Sequence, residues 1–242
     1  PLTPHQPYRL KNDDQIRTGA LVFKYLERGI VGETTEKERM QTELETARSV
    51  QETLMPQNPE ARYQWLQVGG LYQSATECGG DWWWHWSCGQ KAFALVGDVT
   101  GHGAASAMIT SAARSVIDTI QDDPAVGLEK IYTTLSRSIH MCSGGKLSMS
   151  AFIVEVDLDS RKVQYINASH VPAVILPKTS GLIWSELEHL TEPTSPSLGG
   201  TNNTCALGEF VAPKDTRVVL LTDGLTERKN EAGGSLRERT FY

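Results

Sequence analysis

Disulfide and zinc chemistry are the first things this chain lacks. Its four cysteines, Cys78, Cys88, Cys142 and Cys205, make no CxxC pair and no cysteine/histidine cluster with zinc-ligand spacing, so neither a disulfide framework nor a structural zinc site is expected. They read as reduced thiols, with a Cys78–Cys88 redox pair as the functional alternative. An excess of positive charge is missing too: 23 Lys and Arg face 29 Asp and Glu, a net charge of −6. That balance argues against a nucleic-acid module held by phosphate neutralisation. No apolar stretch approaches the roughly eighteen residues of a membrane span, and no charged start leads into an apolar signal core. The expectation is a soluble cytoplasmic chain without a span of its own. Because it starts at Pro1 rather than methionine, the alternative is the cytoplasmic part of a larger membrane-anchored sensor. Internal repeats and low-complexity tracts are absent as well.

What is present is 242 residues, 39% of them hydrophobic, enough for one or two domains with a real core. Residues 1–34 read as the tail of an upstream module or a linker. Residues 35–56 read as a lead-in helix: Thr34 or Thr35 is placed as N-cap, acidic residues follow, and Pro56 stops it. Its stripe of Met40, Leu44, Ala47, Val50 or Gln51, and Leu54 has coiled-coil spacing, which suits either packing on its own domain or a homodimer through residues 35–54. Residues 57–242 form the main domain. A short strand is expected over about Tyr63–Ser74, then Trp82-Trp83-Trp84-His85-Trp86, whose alternation puts Trp82, Trp84 and Trp86 on one face and Trp83 with His85 on the other. A buried strand follows over Lys91–Asp98. Next come a helix over Ala104–Ile120 with Ala105, Met108, Ala112, Val116 and Ile120 on one face, and a helix over Gly127–His140 facing inward through Leu128, Ile131, Leu135 and Ile139. The rest reads as strands at 147–156, 162–167, 173–176, 182–184, 207–211 and 217–221. Strands, two central helices and more strands give an α+β sandwich.

Three aspartates stand where a strand meets a glycine turn: Asp81 in Gly79-Gly80-Asp81, Asp98 in Gly97-Asp98, and Asp223 in Thr222-Asp223-Gly224. Carboxylates adjoining buried apolar runs are costly unless a cation or several hydrogen bonds compensate them. Together they invite a divalent metal, and oxygen donors suit Mg²⁺ or Mn²⁺ better than zinc. Taken singly, each would serve as a turn-capping residue.

Gly79-Gly80-Asp81, Leu95-Val-Gly-Asp-Val-Thr-Gly-His-Gly-Ala-Ala-Ser-Ala107, Asn167-Ala-Ser-His-Val-Pro-Ala173 and Leu221-Thr-Asp-Gly-Leu-Thr-Glu227 resemble, in order and spacing, the SpoIIE/RsbU-like branch of the PPM-type metal-dependent serine/threonine phosphatases. The lead-in Glu43–Pro56 resembles that branch too. The resemblance implies an antiparallel β-sandwich flanked by helices (αββα) with a binuclear Mn²⁺ or Mg²⁺ centre. It gives Asp98 the role of bridging both metals, Val99 a backbone-carbonyl ligand, Asp81 a ligand of one metal and Asp223 a ligand of the other. Such a centre would activate water and clamp a phosphate for in-line attack without a phosphoenzyme. His102 is a candidate proton donor to the leaving oxygen, or else shapes its glycine loop. His170 reads as a hydrogen-bonded structural residue near the site. The implied substrate is a phosphorylated signalling partner of the anti-sigma-factor-antagonist (STAS) type, under control of an upstream sensor.

Two departures qualify that picture. Trp84 stands where the family commonly has a second aspartate, and the chain reaches Tyr242 without the family's final Asp-Asp strand. The expectation is therefore a domain apparently lacking its last helix and strand, with the activity of this chain open. A catalytically weak or inactive phosphatase-fold binding module is the alternative. A nucleotide site at the glycine loop is a third reading, and it lacks the P-loop lysine.

Overall fold

The computed structural model describes residues 8–11, 13–18, 21–25, 31–73, 79–101, 103–176, 182–183, 187–226 and 240–241. The chain divides into two compact units, Pro1–Leu44 and Glu45–Tyr242. In the first, β1 (Gln15–Thr18) and β2 (Leu21–Lys24) form an antiparallel hairpin. Helix α1 runs from Val31 to Thr53. Thr34 and Thr35 thus lie inside the helix rather than capping it. A threonine costs an interior helical position only about 0.7 kcal/mol or less, too little to stop a turn that can continue.

In the second unit, the expected single strand after Pro56 is a hairpin. Strands β3 (Glu60–Tyr63) and β4 (Leu66–Gly69) are joined by Gln64-Trp65, with Gln64 at φ 53°. Next come β5 (Asp81–Cys88), β6 (Lys91–Val99), α2 (Ala104–Ile120), α3 (Leu128–Ser143), β7 (Met149–Asp157), β8 (Lys162–Ala168) and β9 (Ala173–Leu176). They are followed by β10 (Leu182–Ile183), β11 (Glu188–Leu190), β12 (Thr194–Ser195), β13 (Gly208–Val211), β14 (Arg217–Val219), α4 (Asp223–Thr226) and β15 (Thr240–Phe241).

Six strands form the main sheet in the order β12-β8-β7-β6-β5, with β13 also pairing β8; three more form the second sheet, β11-β9-β14. All these pairings are antiparallel except β12 with β8. One face of the main sheet carries Trp82, Phe93, Leu95, Val99 and Ile153 against Ile109, Ile117, Ile131, Leu135 and Ile139 of α2 and α3. Its other face sets Phe152, Val154, Val163 and Tyr165 against Ala173, Ile175 and Leu190 of the second sheet. Each such large side chain contributes about 1.5–3 kcal/mol when fully buried. The architecture is the expected α+β sandwich. Helix α3 buries the expected Leu128, Ile131, Leu135 and Ile139.

Helix α2 follows the expected stripe only toward its C-terminal end, where Ile120 is buried and Val116 packs against the core. Its buried residues are Ser106, Ala107, Ile109, Thr110, Ala113, Ile117 and Ile120, and Met108 is 72% exposed. The inward face mixes Ile109, Ile117 and Ile120 with small residues, two of them hydroxylic, and it lies one residue along from the expected Ala105, Met108, Ala112 and Val116. The tryptophan run does alternate as expected. Trp82 and Trp86 lie in the helix-side core, and Trp84 packs against it, with Arg114 3.4 Å above its ring. Trp83 stacks on His85 at 5.6 Å. The β3–β4 hairpin covers that pair: Tyr63 Oη donates to His85 Nδ1 (2.8 Å), and a Cβ at Gly70 would lie 2.4 Å from the Trp83 ring. Trp83 and Trp84 therefore serve as packing.

Candidate functional site

The β5–β6 turn sets the site. Its two residues, Gly89-Gln90, join Cys88 to Lys91, and Gly89 takes φ +59°, which a glycine adopts without a Cβ penalty. From there the ladder pairs residue by residue until Asp81 stands directly opposite Asp98. Directly opposed residues share a face, so the two carboxylates project together, on the side away from the helices. Their carboxyl groups therefore start from directly opposed positions of the ladder. Burial pushes Asp98 up to about 6, and the charges of Asp81 and Asp223 add to the rise. Asp81 is also raised, by burial first and by Asp223; Thr222 partly offsets this by donating its hydroxyl to Asp81 Oδ2 at 3.0 Å. Two half-buried carboxyl groups on facing positions favour either a shared proton or a balancing cation.

Gly80 brings the backbone of the next strand close. The Val99 amide donates to the Gly80 carbonyl at 3.1 Å. A Cβ on Gly80 would lie 2.5 Å from the Val99 carbonyl oxygen and 2.9 Å from Asp98 Oδ1. That carbonyl thus lies beside the carboxylate pair. The loop that follows is held by Thr100, whose amide and hydroxyl both donate to the Ser148 carbonyl.

Asp223 reaches the site by another route. The strand expected over 217–221 ends at Val219, whose ladder partner Val174 is one residue from the start of β9, and the Leu221 carbonyl beyond it is taken by a side chain. His170, buried at the end of Asn167-Ala-Ser-His170, sets its Nε2 3.0 Å from that oxygen. A carbonyl can only accept, so Nε2 carries the hydrogen. Nδ1 then accepts from the Ser150 hydroxyl at 2.7 Å. Burial holds His170 down to about 4, so the ring is neutral near neutral pH. Ser150 is the ladder partner of Asp98. The chain Asp98, Ser150, His170, Leu221 therefore ties the two sheets together at the site. Asp223 itself is exposed and opens the single-turn α4.

The structure thus brings together Asp81, Asp98, the Val99 carbonyl and, at longer range, Asp223. Among the described residues no three His, Cys, Asp or Glu side chains stand close enough to hold an ion by themselves. The preformed part is the Asp81–Asp98 pair with its carbonyl. Its donors are all hard oxygens and, among the described residues, no Lys or Arg is paired with its like charges, which is the environment a Mg²⁺ or Mn²⁺ ion fits. His102 and Cys78 lie outside the described residues. Trp84 is on the opposite face of β5 from Asp81, so its side chain belongs to the core under α2. Sequence reasoning missed Thr222 and Ser150. Thr222 adjoins a motif aspartate, but a hydroxyl reaching across from another sheet leaves no local signal, and Ser150 is visible only once β6 and β7 are in register.

Residues 89–241 match the model of the family described as Stage II sporulation protein E (SpoIIE). The chain is 26% identical over 196 residues to the phosphoserine phosphatase RsbP of Bacillus subtilis, a match covering 76% of this chain and 45% of that protein. It is 23% identical over 216 residues to protein IcfG of Synechocystis, covering 78% of this chain and 33% of that one. The chain therefore spans less than half the length of these curated relatives. Among solved structures, the SiaA-PP2C domain of Pseudomonas aeruginosa superposes with a TM-score of 0.63 at 19% identity, covering 83% of this chain and 78% of that one. The RsbU and RsbW domains of Rv1364c from Mycobacterium tuberculosis give 0.55 at 23% identity, covering 68% and 44%. At these identities the likeness is one of fold, and the fold is that of the PP2C phosphatases.

Proposed function

Because the chain belongs to the Stage II sporulation protein E (SpoIIE) family, we propose that it is a metal-dependent phosphatase that removes phosphate from serine or threonine of a partner protein. The observation that carries this reading is the Asp81–Asp98 pair, held face to face by strand register beside the Val99 carbonyl. In this reading Asp98, Asp81, the Val99 carbonyl and Asp223 would hold two Mn²⁺ or Mg²⁺ ions, with Asp98 as the ligand common to both, Asp81 and the Val99 carbonyl as ligands of one and Asp223 as a ligand of the other. Bound divalent ions supply polarisation of water and of the phosphoryl oxygens for in-line displacement, so no phosphoenzyme is needed. The protein's own part is to orient these donors. Thr222 fixes Asp81, His170 and Ser150 fix the approach to Asp223, and His102 is the proposed proton donor to the leaving oxygen.

The proposed substrate is a phosphorylated STAS-type antagonist in a cytoplasmic signalling pathway, and the name of the relative RsbP as a phosphoserine phosphatase supports the serine preference. Among the described residues no helix is long and apolar enough to cross a membrane. The homodimer through residues 35–54 is retained as a proposal for the upstream part of that stripe, since Gln51 and Leu54 are engaged within the second unit. The test is hydrolysis of a phosphoserine peptide or aryl phosphate with excess Mn²⁺, comparing the native chain with Asp98→Asn. Turnover that disappears in a folded variant supports the proposal. Absent turnover in the native chain, with retained binding of a phosphorylated STAS protein, supports the binding-module reading instead.

A further inference from the structure

Gln51, near the end of α1, is 2% exposed while Arg48, Ser49, Val50, Glu52 and Thr53 around it face solvent. Its amide is used from both ends by one residue. Nε2 donates to the Gly79 carbonyl at 2.6 Å, and Oε1 accepts from the Gly79 amide at 3.1 Å. Nε2 also reaches Thr110 Oγ1 at 3.5 Å, and that hydroxyl spends its own hydrogen on the Ala107 carbonyl at 2.8 Å. Just past the end of α1, the Leu54 carbonyl accepts from Trp82 Nε1 at 3.4 Å. The residues two before and one after Asp81 are thus both tied to the same helix end. Between them lies Gly80, whose backbone is so close to the Val99 carbonyl and Asp98 Oδ1 that it has no room for a Cβ. A shift of Gly79 is therefore passed on to the carboxylate pair.

We infer that Gln51 is a positioning residue, clamping the Gly79 peptide so that the Asp81 carboxylate is held opposite Asp98. The side-chain chemistry is specific. Methionine has the same shape and offers neither bond, asparagine is one methylene short, and glutamate cannot donate to the Gly79 carbonyl at neutral pH. The catalytic consequence rests on the phosphatase reading, while the clamp itself does not.

Two readouts test it. In the native chain without metal, hydrogen exchange at the Gly79 amide is expected to be protected as strongly as the amides of α2; exchange at the rate of a free peptide overturns the inference. In Gln51→Met, exchange over residues 79–82 is expected to speed up about tenfold, the equivalent of one net hydrogen bond, with α2 unchanged. Mn²⁺ affinity and kcat should fall together by a similar factor while KM for a phosphopeptide stays the same. Thr110→Val, which leaves the Gly79 bonds in place, should keep native Mn²⁺ affinity. Native exchange and native Mn²⁺ affinity in Gln51→Met, or an equal loss in Thr110→Val, overturn the inference. A native chain that neither binds Mn²⁺ nor turns over substrate overturns the phosphatase reading, and the exchange measurement still decides the clamp.

Discussion

The two sides of the site are built in different ways. Asp81 and Asp98 are successive products of one ladder, eight matched pairs counted from the Gly89-Gln90 turn. Asp223 follows a three-residue strand and is exposed, and the segment leading to it is anchored by the side-chain bonds of Thr222 to Asp81 and of His170 to the Leu221 carbonyl. A paired strand cannot shift by one residue without sending its side chains to the other face. A side-chain strut can let go for the loss of one hydrogen bond. The first side is thus preformed and the second adjustable, which accounts for a carboxylate pair without a closed set of three.

The sharpest way to break the comparison is Asp98→Asn. Loss of the shared ligand should reduce turnover on the order of 10³-fold, as expected when several kcal/mol of charge stabilisation disappears. It should also raise the Tm of the cation-free protein near neutral pH, because it removes one of two opposed, half-buried carboxylates whose charges disfavour each other. Thermal scans with and without Mn²⁺ check both signs. Next in size, Gly80→Ala forces a Cβ to 2.5 Å from the Val99 carbonyl and should cost about 1–3 kcal/mol by overpacking. Urea unfolding measures it, and the loss of Mn²⁺ binding should accompany it.

On the adjustable side, His170→Ala leaves the Ser150 hydroxyl and the Leu221 carbonyl without their partner. An unpaired buried group costs about 1–3 kcal/mol, and the relative activity loss should exceed that of Ser150→Ala, which keeps the Leu221 bond. A larger effect of Ser150→Ala would show that the two sheets are not joined through Leu221. The smallest effect is expected of Met108→Ala on the exposed side of α2, within about 0.5 kcal/mol. A large loss there would restore the stripe read from apolar spacing.

The preformed half was also the legible half. Asp81 and Asp98 could be read because a strand bounded by glycines announces both its end and its face, and the alternation of Trp82 to Trp86 follows from the two-residue period of a strand. The Asp223 motif was readable, but not its support, since the His170 bond to Leu221 joins positions 51 apart in sequence. The inward face of α2 was hidden because Ser106 and Thr110 are buried polar residues with partners of their own. Gln51 was visible only as a polar member of an apolar stripe, and what it binds depends on where the Gly79 loop returns. Residue chemistry marked the donors; tertiary hydrogen bonds decided how they are held.

The measurement that bears most directly on the account is calorimetric titration of Mn²⁺ into the native chain and into Asp98→Asn. The account predicts binding in the native chain and its loss in the variant, with the variant still folded. Equal binding in both would contradict the central role of the Asp81–Asp98 pair.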